Sequence, residues 1–89
     1  MPYGPRTSED QLRSIARQRI TDGLLPVLFS RMMSASYGTG AVCRLCERPI
    51  EPPHVEYEVT DERDGHSLSF HLVCHAAWQL ECVAQVASP

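Results

Sequence analysis

The spacing of apolar residues changes character along the chain, and each change predicts an element. In residues 8–22, Leu12, Ile15, Ala16 and Ile20 recur at helical spacing, while Arg13, Arg17 and Arg19 fall mostly on other faces. Ser8 followed three residues later by Gln11 fits a capping box, and Glu9 and Asp10 stand where a helix dipole favours acids. Gly23 suits the left-handed residue that ends such a helix. Leu25, Leu28, Phe29, Met32 and Met33 then fall at i, i+3, i+4, i+7 and i+8. That is one face of a second, short helix, with Pro26 tolerated in its first turn. Ser34 to Ala41 is small, polar and Gly-rich, and reads as a flexible linker hinged at Gly38 and Gly40.

Further on the period drops to two. Val55, Tyr57 and Val59 alternate with Glu56 and Glu58, which predicts a half-buried strand with its acids facing water. Asp64-Gly65 marks a turn, and Leu68 and Phe70 alternate again as the return strand of a hairpin. From His71 to about Gln85 there is no Gly or Pro, and the apolar residues fit a helix. No internal repeat is visible.

Two short motifs bracket this hairpin. Cys43-Arg44-Leu45-Cys46 is a C-x2-C pair, whose spacing lets two thiolates reach one ion from a tight knuckle. His71-Leu72-Val73-Cys74 is an H-x2-C pair; on a helix, i and i+3 share a face. Zinc takes four such donors in a tetrahedron, with Zn–S near ~2.3 Å and Zn–N near ~2.0 Å. A thiolate-rich, fully liganded site is the structural kind, because no position is left for water or substrate. The pairs therefore predict one structural zinc held by Cys43, Cys46, His71 and Cys74. His75, at i+4 from His71, is an alternative to Cys74 as the fourth ligand. Cys82 lies too far along a continuous helix to share the ion with Cys74, roughly 12 Å at ~1.5 Å per residue. It is expected in the core beside Trp78.

The predicted fold is a small zinc-stabilised α+β protein. A helical arm (1–33) and a linker (34–42) precede a zinc-binding module (43–89) of knuckle, β-hairpin and C-terminal helix, the order of a treble clef. The ligand pattern resembles the first zinc module of LIM domains over residues 43–74. It departs from a complete LIM domain, which needs a second set of four ligands where only Cys82 remains downstream. The chain also resembles a group of small bacterial single-zinc proteins of unknown activity. The likeness runs through Arg17-Gln18-Arg19-Ile20-Thr21-Asp22-Gly23-Leu24-Leu25-Pro26, the knuckle from Cys43 to Ile50, and Phe70-His71 through Cys74 to Trp78. It implies a zinc site and a bacterial cytosol, and no activity.

Composition and charge narrow the function. At 89 residues the chain makes one domain at most, small enough to need a staple. No stretch has the length of a membrane span or a secretory signal, which points to the cytoplasm, where close cysteine pairs are more often metal ligands than disulfides. Residues 1–42 carry five Arg against three acids, and residues 43–89 three Arg against eight acids. The module is thus a poor binder of polyanions. No catalytic constellation or phosphate-cradling loop stands out, so neither an enzyme nor a small-molecule substrate is expected. The leading expectation is a non-catalytic interaction or adaptor module. Leu25, Leu28, Phe29, Met32 and Met33 would offer an apolar face to a protein partner or to a second copy. The alternative is a nucleic-acid-associated regulator using Arg6, Arg13, Arg17 and Arg19. A further alternative is a thiol redox or zinc sensor.

Overall fold

A computed structural model describes residues 8–29 and 33–87. Helix α1 spans Glu9–Thr21, and its start follows from its caps. The Ser8 hydroxyl accepts from the Gln11 backbone N–H at 3.1 Å, and the Ser8 N–H donates to the Gln11 side chain at 2.8 Å. At the other end Gly23 takes a φ of +78°, as a left-handed terminator should. Strands β1 (Met33–Tyr37), β2 (Val55–Thr60) and β3 (Ser67–His71) form an antiparallel sheet in that order, and α2 spans Leu72–Ala87. The β2–β3 turn closes through Asp61 N–H to the His66 carbonyl at 2.7 Å, with Gly65 at positive φ. The expected first helix, hairpin and last helix are therefore all present, as a small α+β fold in which α2 packs on a three-stranded antiparallel sheet and α1 packs on α2.

Two expectations fail between Leu24 and Tyr37. The second helix is absent: residues 24–29 are irregular, and residues 30–32 lie outside the described ones. Pro26 has no N–H to give a helix and biases Leu25 away from helical geometry. The carbonyls that a helix would use internally are taken by α2. Pro26 O accepts from Trp78 Nε1 at 2.9 Å, and Leu28 O from Gln79 Nε2 at 2.9 Å. The proposed flexible linker supplies most of β1 instead, paired with β2 from Met33↔Val59 to Tyr37↔Val55. Gly38 and Gly40 are held rather than hinged, donating to His54 O at 2.8 Å and Ile50 O at 2.9 Å. A Cβ on Gly38 would collide with the Ile50 carbonyl, so glycine is there for close approach.

The arm and the module share one core. Along α2, Cys74, Ala77, Trp78, Glu81 and Cys82 form the buried face at helical spacing. Trp78 stacks on Phe70 of β3 with ring centroids 4.8 Å apart. Leu12 and Ala16 of α1, together with Leu25 and Leu28, close the same cluster. The one acid on that face, Glu81, is 1% exposed. It accepts from Arg13 Nε at 2.8 Å, and from Arg17 Nε at 3.1 Å and Nη2 at 3.3 Å. Burial alone would push the Glu81 carboxyl up; Arg17 and Arg13 outweigh it and hold the group below its ordinary value. Glu56 corrects a further expectation. It does not face water but is buried, accepting from Thr39 N at 3.0 Å, Thr39 Oγ1 at 2.7 Å and Ser69 Oγ at 3.0 Å.

Glu81→Gln should cost about 1–2 kcal/mol in denaturant unfolding, since the hydrogen bonds become neutral and both guanidiniums are partly solvated. A depressed folded-state pKa contributes stability above the unfolded value of 4.5, lost as pH falls through the lower folded value. The variant should therefore lose less stability than the parent on acidification below pH 4.5, as followed by thermal melts. Gly38→Ala should cost about 1–3 kcal/mol by overpacking against Ile50, measured the same way.

Candidate metal centre

The knuckle is a tight loop closed by its own backbone. Cys43 N–H donates to Arg48 O at 2.9 Å, and Glu47 N–H donates to Cys43 O at 3.0 Å. Val42 and Pro49 form a β-bridge at its base. Turning the chain after Cys46 puts Glu47 at a φ of +64°, the left-handed region that favours glycine. Leu45 between the cysteines is fully buried, and its N–H points at Cys43 Sγ at 3.5 Å. Arg44 N–H donates to Ser69 O at 2.9 Å, which fastens the knuckle to β3.

Opposite the knuckle, β3 runs directly into α2. His71 is the last strand residue rather than the first helical one, and Cys74 lies in the first turn of α2. The one-atom donors of Cys43, Cys46, His71 and Cys74 all lie within 4.8 Å of one another. A tetrahedral ion with ~2.3 Å bonds to sulfur would hold its sulfurs ~3.8 Å apart, so the cluster is of the size for one ion. Cys43, His71 and Cys74 are buried, and Cys46 is half-buried. His71 is oriented for ligation. Its Nε2 stands 3.3 Å from Pro49 O, which can only accept, so that nitrogen carries the proton. Nδ1 then presents its lone pair to the cluster, 3.3 Å from Cys46 Sγ.

The thiols share one negative charge badly. Hydrogen bonds from the Cys46 and Cys74 side chains hold the Cys43 thiol far below its ordinary value. The side-chain bond to Cys43 pushes Cys46 up, and those to Cys43 and Cys46 push Cys74 up, because a second thiolate would face the first. A cation at the centre would remove that repulsion and let all three ionise. The donor set thus fits a metal ion on its chemistry as well as its spacing.

The other candidate residues are dispersed. Leu25 and Leu28 are buried in the core, Phe29 and Met33 stay 49% and 45% exposed, and Met32 lies outside the described residues. Among the described residues, Leu25 and Leu28 thus face the core while Phe29 and Met33 are exposed, so these four do not form one exposed stripe. Of the arginines, Arg13 and Arg17 are held by Glu81. Arg19 reaches the knuckle, at 3.2 Å from Glu47 and 3.3 Å from Leu45 O, and Arg6 lies outside the described residues. His75 points away from the cluster into the rings of Tyr57, Phe70 and Trp78, and its desolvation lowers its pKa. Cys82 is buried 3.7 Å from Pro26 O, and burial raises its pKa. Sequence reasoning missed Pro49 O as the orienting partner of His71, for a backbone carbonyl leaves no residue-type signal. It also missed Glu81, whose position on the Cys74–Trp78–Cys82 face was there to be noticed.

Comparison with known protein families, curated proteins and solved structures gives no match.

Glu47→Asn and Glu47→Val both remove the pair with Arg19, so their difference isolates the backbone. The β-branched variant should be less stable by about 1–2 kcal/mol, because asparagine tolerates the left-handed region. Equal chemical-denaturation midpoints for the two would contradict the knuckle geometry.

Proposed function

We propose that this is a non-catalytic zinc-binding protein whose single ion is structural and whose role is protein–protein interaction or adaptor work. One observation carries the metal part: three sulfurs and one imidazole nitrogen converge from the knuckle, the end of β3 and the first turn of α2. Zinc is the ion this donor set favours, being tetrahedral and well matched to thiolate and imidazole. Four protein donors leave no open coordination position, which argues for fold stabilisation rather than hydrolysis. Knuckle, hairpin and helix in this order support a treble-clef-like module, as in the first half of a LIM domain. A reducing cytoplasm, bacterial as the sequence resemblance implies, would keep these thiols available. The nucleic-acid reading loses ground here, because Arg13, Arg17 and Arg19 already face carboxylates of the chain itself.

The purified protein should carry about one zinc per chain by native mass spectrometry. In small zinc domains the ion contributes on the order of 10–16 kcal/mol, against a net domain stability of ~5–15 kcal/mol. Cys46→Ala and His71→Ala should therefore abolish both metal binding and the cooperative unfolding transition. Cys82→Ser should keep its zinc. A folded, metal-free parent protein would defeat the proposal, and zinc loss in Cys82→Ser would defeat the ligand assignment.

A further inference from the structure

Strand β1 is an outer strand of the sheet, and all five of its residues are exposed. Helix α2 packs on β2 and β3 and does not reach β1. The backbone direction of β1 follows from its pairing. Gly38 N–H donates to His54 O at 2.8 Å, and the same register sets Ser36 against Glu56 and Ser34 against Glu58. By strand alternation, Ser34 and Ser36 turn their backbone groups to β2, and Met33, Ala35 and Tyr37 turn theirs outward. Among the described residues no backbone group pairs with that outer edge; the Tyr37 carbonyl accepts only from Ser36 Oγ, at 3.2 Å.

Outer strands of monomeric proteins are usually blunted by charge, proline or a bulge. Met33-Ser34-Ala35-Ser36-Tyr37 has no charge and no proline, and its register with β2 is unbroken. Its side chains continue an apolar row as well. On the face that α2 covers, Met33, Ala35 and Tyr37 stand opposite Val59, Tyr57 and Val55. Val59 is buried there, while Met33 and Tyr37 remain 45% and 72% exposed.

We propose that β1 pairs antiparallel with β1 of a second copy of this chain, about a two-fold axis at Ala35. The strand is complementary to itself in that register. Ala35 faces the partner's Ala35, Met33 faces the partner's Tyr37, and Ser34 faces the partner's Ser36. The outward N–H and C=O groups of Met33, Ala35 and Tyr37 then all find partners. Each end gains a thioether against a ring. A slip of one residue would set outward groups against inward ones, and a slip of two would forfeit part of the ladder. Charge permits this occupant: each chain is −3 overall, but no charge lies on the strand itself. The product is a continuous sheet across the axis, with one α2 helix from each chain on the same face. This deepens the interaction role proposed above and rests on it, but not on the identity of the metal.

Sedimentation of the full, metal-loaded chain across the micromolar range tests the pairing. The parent should be a concentration-dependent dimer. Ala35→Pro removes only an outward N–H, so the β1–β2 ladder survives while the dimer should weaken by roughly tenfold or more. Ala35→Lys and Ala35→Glu should each be monomeric, because like charges would meet at the axis. Mixing those two should restore a dimer, which only this register explains. A parent that stays monomeric, a dimer indifferent to all three variants, or charge variants that fail to rescue each other would overturn the proposal. Zinc content measured on the same samples keeps its failure distinct from that of the metal site.

Discussion

The ligand atoms of Cys43, Cys46, His71 and Cys74 converge within 4.8 Å of one another, and the rest of the fold is arranged around that meeting. The knuckle is held shut by its own hydrogen bonds and tied to β3 through Arg44 and Ser69. The strand ends on His71 and the helix begins at the next residue, so the last two donors straddle a junction. A junction between strand and helix is a place where a chain has freedom. An ion held by the four donors would pin it from both sides and so help fix α2 against the sheet, where Trp78 stacks on Phe70. Three ionised thiolates at this spacing would repel one another, which is why the donor set suits a cation.

A purely organic clamp works further along the same buried face of α2. Glu81 is a carboxylate buried among apolar residues, a costly placement unless its oxygens are satisfied. Arg13 and Arg17 satisfy them from α1, one turn apart on that helix. Arg19 continues the series to the knuckle, where it meets Glu47 and the Leu45 carbonyl. Guanidiniums on two faces of α1 thus join the arm to both α2 and the knuckle. The apolar contacts of Leu12, Ala16, Leu25 and Leu28 fill in beneath them. Each buried carboxylate also carries specificity, because a shifted α1 would leave Glu81 without partners.

Features written locally were the legible ones. The capping box at Ser8 and Gln11, the turn at Asp64-Gly65, the alternation of Leu68 and Phe70, and the paired spacing of the four donors each depend on residues a few positions apart. What failed depended on distant partners. The stripe from Leu25 to Met33 has helical spacing, yet Trp78 and Gln79 claim the carbonyls of Pro26 and Leu28 from more than fifty residues away. Ser34 to Tyr37 has the composition of a linker, and only pairing with β2 makes it a strand. Glu56 alternates like a surface residue, but Thr39 and Ser69 turn its side of the strand into a polar pocket. The arginines read as a basic surface until Glu81 is placed opposite them.

The position of α2 in this scheme bears on how the chain is made. Helix α2 follows the other described elements in order, and most of them lean on it: α1 through Glu81, the segment after Gly23 through Trp78 and Gln79, the inner part of the sheet through Phe70, and the donor cluster through Cys74. During synthesis the arm, the knuckle and both early strands therefore emerge from the ribosome with their apolar sides uncovered and their thiols unmatched. The shared core can close only once α2 is available, which leaves the nascent chain more exposed to oxidation and misassembly than the folded protein.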